Sequence, residues 1–154
     1  MVKLVVRVEN SVEIEAPIEE VFAFIANPQN YEKIFVESKV KIEMLSKGPI
    51  GVGTRYRQSA VLGGRKVDLH SHEYVEFEKN HKLTDRDIDG KLKREEIIFR
   101  FDVTDRGTKV TGAIDYALPY SVLGMLVGKL MGLEQAFDSF LKKGLENAKK
   151  ILEA

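Results

Sequence analysis

The sequence predicts an α+β protein in which a curved antiparallel sheet of about seven strands wraps around one long C-terminal helix, with two short helices between strands 1 and 2. Three observations predict it. Near the N-terminus, apolar Val2, Leu4, Val6, Val8, Val12 and Ile14 alternate with polar Lys3, Arg7, Glu9, Ser11 and Glu13, the two-residue period of a strand with one wet face. Turn signals recur between Gly48 and Gly107, which reads as a meander of hairpins. At the C-terminus, Leu126, Leu130, Leu133, Phe137, Phe140, Leu141, Leu145, Ala148 and Leu152 recur at three- and four-residue steps. They mark one face of a helix of roughly 33 residues, about 50 Å long. An apolar sheet face and an apolar helix stripe cover each other when the sheet curves over the helix.

The elements follow in order. Ala16-Pro17 breaks the first strand; Pro17 suits a first helical turn, and Glu19 and Glu20 sit near its positive end. Ile18, Val21, Phe22 and Ile25 form the stripe of this short helix, Asn27-Pro28 ends it, and a second short helix is expected around Gln29 to Ile34. Val40, Ile42 and Met44 then alternate with Lys39, Lys41 and Glu43. The Gly48–Gly53 stretch lacks the Gly-Lys-Ser/Thr ending and opens no helix, so it reads as a tight connection and not a phosphate loop. Hairpin turns are expected at Gly63-Gly64, Lys79-Asn80, Asp89-Gly90 and Asp105-Arg106-Gly107. Pro119 stops the last strand, Ser121 is placed to cap the long helix, and Lys142, Lys143, Lys149 and Lys150 complement its negative end. Gly124, Gly128 and Gly132 stack on one side of that helix. Close packing or a kink, room for an apolar ligand, and a partner or membrane surface all remain open there.

Two-residue turns fix which residues share a face, because opposed residues point the same way. Carried through the hairpins, this register sets Tyr56 opposite Ser71, Gln58 opposite Leu69 and Glu73 opposite Arg86, with Thr84 opposite Glu95. The inner face then holds Val67, Leu69, Val75, Phe77, Phe99, Phe101, Val103, Val110, Ile114 and Tyr116. Tyr56, Gln58, Ser71, Glu73, Thr84, Arg86 and Glu95 are its polar members. Glu73, Arg86 and Glu95 are expected to cluster as a carboxylate–guanidinium group at one end of a cavity. The expected ligand-binding set is Tyr56, Gln58, Ser71, Glu73, Arg86, Glu95, Phe99, Tyr116, Leu126, Leu130, Leu133 and Phe137. His70 and His72 fall on the outer face, opposite Arg57 and Arg55, and without a third ligand they make no metal site. A single bulge between Leu69 and Tyr74 would reverse that assignment.

Composition excludes several classes. All 154 residues are expected to form one domain. Lys plus Arg equals Asp plus Glu at 24 each, so nothing draws the chain to nucleic acid. No cysteine is present, which removes disulfides, thiolate catalysis and cysteine-based zinc sites. Lys129 interrupts the apolar run of the last helix, and about 16 residues are available where about 20 are needed, so no stable membrane insertion is expected. The N-terminus reads as a strand and not a signal peptide, and a cytoplasmic protein is expected. Neither Gly-x-Ser-x-Gly nor a serine–histidine arrangement is present, so no catalytic set is assigned.

The segments VEIEAPIEEVFAFIANPQNYEKI (12–34), GVGTRYR (51–57) and GTKVTGAIDYALP (107–119), with a tail ending LENAKKILEA, resemble the START-like superfamily in its polyketide cyclase/dehydrase and lipid-transport branch. The resemblance implies a helix-grip fold with an internal cavity for a hydrophobic molecule such as a lipid, quinone, isoprenoid or polyketide. It implies catalysis in only some members. The expected function is binding or transport of such a ligand, without a cofactor, as a monomer or homodimer. The alternatives are a cyclase or dehydratase using cavity carboxylates, or an interaction module docking through the apolar half of the last helix.

Overall fold

The alternating N-terminal strand finds its partner at the far end of the meander. β1 (Lys3–Ile14) pairs antiparallel with β7 (Thr108–Pro119), and β2 (Lys41–Met44), β3 (Arg55–Leu62), β4 (Arg65–Glu78), β5 (Lys82–Asp87) and β6 (Lys93–Val103) complete one sheet in the order β1-β7-β6-β5-β4-β3-β2. Between β1 and β2 lie α1 (Ile18–Ala26) and α2 (Tyr31–Ile34), joined by a 3-10 turn at Pro28–Asn30. The long helix α3 spans Val127–Glu153. This computed structural model describes residues 3–62, 64–90, 93–119 and 127–154; Ser121, Gly124 and Leu126 lie outside the described residues. The helix-grip architecture expected from the sequence is the one observed.

α1 buries Val21, Phe22, Ile25 and Ala26, and Phe22 packs edge-on against Phe77 at 5.2 Å and Phe101 at 5.0 Å. Such pairs add to area burial because ring edges and faces carry opposite partial charge. α3 is gripped at its C-terminal half. Leu141, Leu145 and Ala148 are buried, Asn147 Nδ2 donates to the Ile34 carbonyl at 2.9 Å, and Lys149 Nζ donates to the Glu13 carbonyl at 2.7 Å. Further toward its N-terminus, Leu133, Phe137 and Phe140 are half-buried while Gly132, Glu134, Gln135 and Ala136 are exposed. One helix is therefore packed at one end and stands over open space at the other.

Close approach does not occur at Gly132, where an added Cβ would meet nothing within 4 Å. It occurs at Gly144, where a Cβ would run into the edge of the Phe35 ring, and at Gly112 in β7, where it would lie 2.8 Å from Leu141. The Phe35 ring has little freedom to yield, since it stacks on Phe140 with centroids 4.1 Å apart.

Register departs from the expectation at three places, each with a local cause. The Gly63-Gly64 hairpin holds, with Ala60 opposite Val67, but between Arg57 and Ser59 one residue is added on β4. Asp68 Oδ1 accepts the His70 amide at 2.8 Å, a side-chain turn inside the strand, and His70 adopts φ +69°. Tyr56 therefore faces His72 and not Ser71. The second turn takes three residues, with Asn80 at φ +64°, and a second bulge at Val75 compensates, so Glu73 does oppose Arg86. Both lie on the outer face. With β5 paired to the shifted part of β4, Leu83 and Asp85 replace Thr84 and Arg86 on the inner face. The third turn is longer than Asp89-Gly90, so Thr84 opposes Ile98 and β6 returns to its expected face with Ile97 and Phe99 inward. The last turn keeps Phe101 opposite Val110 as expected, although Val103 is 73% exposed at the strand end.

The two helical glycines give opposite expectations for one substitution. Gly132→Ala should stabilise the fold by roughly 0.5–1 kcal/mol through helix propensity. Gly144→Ala should destabilise it by about 1–3 kcal/mol because overpacking against Phe35 outweighs that gain. Urea unfolding of both variants checks the pair; a stabilised Gly144→Ala protein would contradict the packing described.

Candidate functional site

The first bulge decides the chemistry of the inner face. It turns His72, 4% exposed, to the inner face and Ser71 and Glu73 to the opposite face of the sheet. Tyr56, His72 and Asp87 form one row across β3, β4 and β5, and Tyr74, Asp85, Ile97 and Ile114 form the next row across β4 to β7. His72 Nδ1 lies 3.4 Å from Asp85 Oδ1, an ion-pair distance without hydrogen-bond alignment, and His72 Nε2 lies 2.8 Å from the Leu69 carbonyl. Tyr56 stacks on the imidazole at 5.4 Å and donates its hydroxyl hydrogen bond to Asp85 Oδ2. Behind it, Tyr74 donates to the Ala26 carbonyl and so accepts from Tyr31, both at 2.8 Å.

The titration behaviour follows from burial and charge. Burial, reinforced by the Asp85 charge, pushes the phenols of Tyr31 and Tyr56 upward, so they remain neutral. For His72, burial alone would lower the pKa, but the Asp85 charge, the Leu69 carbonyl and Glu95 outweigh it and raise it to about 9. Burial raises Glu95 to about 7, with the neighbouring Asp87 and Asp85 carboxyls adding to the rise and His72 opposing it. Two carboxyls in one poorly solvated site resist ionising together, so Glu95 keeps its proton to higher pH than a free carboxyl.

These groups stand at one end of a cavity of about 320 Å³ between the sheet and α3. Val67, Leu69, Ile97 and Ile114 line it from the sheet; Leu133, Ala136, Phe137 and Phe140 line it from the helix. Gln58, Asp68, His70, His72, Asp87 and Glu95 supply its polar atoms.

Of the residues expected from sequence, Gln58, Glu95, Leu133 and Phe137 line this cavity. Tyr56 lies behind His72, and Phe99 lies beneath the packed half of α3 with Leu141. Tyr116 is buried edge-on to Phe137 at 5.0 Å, its hydroxyl without a hydrogen-bond partner among the described residues. Leu130 is placed in α3 by its backbone alone, and Leu126 lies outside the described residues. The inward placement of Ser71, Glu73 and Arg86 is corrected: Glu73 pairs with Arg55, Arg86 with Glu96 at 3.4 Å, and the Ser71 amide donates to Asp89 Oδ1 at 2.7 Å. The outward placement of His72 is corrected by the same bulge. His72, Asp85 and Asp87 were the residues missed, and the available signal was Asp68, an aspartate in mid-strand two residues before the bulge.

Fold and cavity together define a helix-grip protein with an internal ligand-sized space. The family described as polyketide cyclase/dehydrase and lipid transport matches residues 5–153, and the chain belongs to that family. Among solved structures, TTHA0849 from Thermus thermophilus is 26% identical, with 94% of this chain and 97% of that chain covered and a TM-score of 0.68. The ZhuI aromatase/cyclase from Streptomyces sp. R1128 is 18% identical over 97% and 94% of the two chains, with a TM-score of 0.79. The di-domain aromatase/cyclase StfQ of the steffimycin pathway is 13% identical with a TM-score of 0.79; this chain covers 51% of it. At these low identities the last two likenesses concern the fold. No curated protein matches.

His72 gives a stability prediction with a definite sign. Its folded pKa lies above the usual 6.5, so the stabilisation is full below pH 6.5 and is lost as pH rises through about 9. The midpoint of thermal unfolding should fall between pH 6.5 and 9, and His72→Gln should flatten that slope. Imidazole NMR should show His72 titrating near 9; an inflection near 6.5 would contradict the charged pairing with Asp85.

Proposed function

We propose that this protein binds a small, largely apolar molecule in the cavity between the sheet and α3. The observation that carries the reading is the cavity itself: about 320 Å³, walled by aliphatic and aromatic side chains from two elements, with polar groups gathered at one end. That volume falls at the small end of ligand sites, which run from about 300 to 1,000 Å³. The lipid-transport part of the family description supports a carrier. Gln58, Glu95, Leu133 and Phe137 are assigned ligand contact, while Tyr56 and Tyr116 position their neighbours; Ser71, Glu73 and Arg86 take no part.

A second reading, a cyclase or dehydratase, draws on one specific observation. Glu95 presents a titratable carboxyl to the cavity, raised to about 7 by burial and suited to exchanging a proton with a bound ketone or alcohol. A new product mass on incubation with a poly-β-ketone, lost in Glu95→Gln, would favour this reading over the carrier.

Native mass spectrometry of the purified protein, followed by mass analysis of a solvent extract, tests the binding reading. A retained molecule of lipid, quinone or polyketide size is the expected result. Ala136 is exposed on α3 at the cavity wall. Ala136→Trp should weaken an apolar fluorescent probe at least about tenfold by filling that space, with unfolding unchanged. A clean apo mass together with no probe binding would sink the proposal.

A further inference from the structure

Among the described residues, the polar end of the cavity is rich in hydrogen-bond acceptors and poor in free donors. Asp87 and Glu95 reach it from β5 and β6, and Asp68 reaches it from β4, where Arg57 already pairs with it. Asp87 Oδ1 accepts the amides of Asp89 and Gly90 at 3.0 and 2.6 Å, turning the β5–β6 connection and leaving Oδ2 without those bonds. The cationic side chain that lines the space, His72, is committed to protein: Nε2 lies at the Leu69 carbonyl and Nδ1 at Asp85, so its proton balances a buried carboxylate. His70 stands at the rim with Nδ1 4.0 Å from Asp89. Among the described residues, β7 and α3 contribute apolar walls, Ile114 with Leu133, Ala136, Phe137 and Phe140. Gln58, 5% exposed, is neutral and offers both a donor and an acceptor.

We propose that this cavity selects molecules whose polar end donates hydrogen bonds, a protonated amine or a hydroxyl, and rejects those ending in a carboxylate. The selection rests on the binding reading above and adds the chemistry of the head group to it. An incoming carboxylate would face Asp87 and Glu95 with no uncommitted lysine or arginine among the described residues that line the cavity, and burial strengthens that repulsion. An ammonium or hydroxyl instead satisfies Asp87 Oδ2 and Glu95. The site is also graded by pH. Below about 7, Glu95 holds its own proton; above it Glu95 is charged, and a cation gains. His72 stays charged through this range, and Asp85, Asp68 and His70 are the other titratable groups facing Glu95 from the neighbouring strands.

A matched set of naphthalenes tests the proposal: 2-naphthylmethylamine, 2-naphthol, 2-naphthoate and 2-methylnaphthalene share one apolar body. The chain has no tryptophan, so naphthalene emission reports binding directly. At pH 8 the amine and the naphthol should bind at least about tenfold more tightly than the naphthoate, the scale of one repelled charge pair near a protein surface. For the amine, affinity should drop several-fold at pH 6. In Glu95→Gln the amine's pH step should vanish, and the amine's advantage over naphthol should shrink. Equal binding of all four would overturn the head-group selection while leaving the binding reading in place. Preferential binding of the naphthoate would overturn the selection outright. Failure of all four to bind, the methylnaphthalene included, would overturn both.

Discussion

A carboxylate that is 2% exposed constrains everything around it. Asp85 sits on the inner face of β5, and its charge is met by the Tyr56 hydroxyl on one oxygen and by His72 near the other. Removing either partner leaves a buried charge short of compensation, which costs far more than a surface ion pair returns. The three phenols around this carboxylate stay neutral, the imidazole stays charged, and the sheet closes over a polar centre that is internally balanced. That balance requires His72 to point inward, and the inward turn of His72 requires the bulge that Asp68 stabilises. A side chain at the edge of the cavity thus decides which groups face into it.

The cavity arises from unequal packing of one helix. α3 is drawn onto β1, β7 and α2 where glycine permits close contact, at Gly144 against Phe35 and at Gly112 against Leu141. Toward its N-terminus the helix carries Leu133, Phe137 and Phe140, whose size holds it away from Ile97 and Ile114. Tight packing at one end fixes the helix firmly enough for the other end to span a gap. Among the described residues no helix is long and apolar enough to cross a membrane.

Much of this was legible in the sequence, and the limit is instructive. The helix stripe, the Pro17 start of α1, the Gly63-Gly64 hairpin and the inward run Ile97, Phe99, Phe101 were readable because periodicity integrates over many residues. Leu133 and Phe137 followed from the stripe, and Glu95 from the strand alternation. The identities of the polar groups on β4 and β5 did not, because face assignment depends on parity, and one extra residue inverts it. Glu73 and Arg86 show the limit clearly: they were rightly paired across the hairpin yet assigned to the wrong side. β5 inherited that inversion through its pairing with β4, and the long connection after Asp87, where an aspartate closes its own turn, returned β6 to its expected face.

The two bulges of β4 together do something neither does alone. Inward positions are odd-numbered before the first, at Val67 and Leu69, even-numbered between the two, at His72 and Tyr74, and odd again after the second, at Phe77. The middle of the strand is thus a short cassette, out of phase with both ends and insulated from them. The residues that face inward there are set independently of the register at either hairpin. The inward face at His72 and Tyr74 is therefore set by a short phase-shifted segment, while the two hairpins on either side keep the register of the frame.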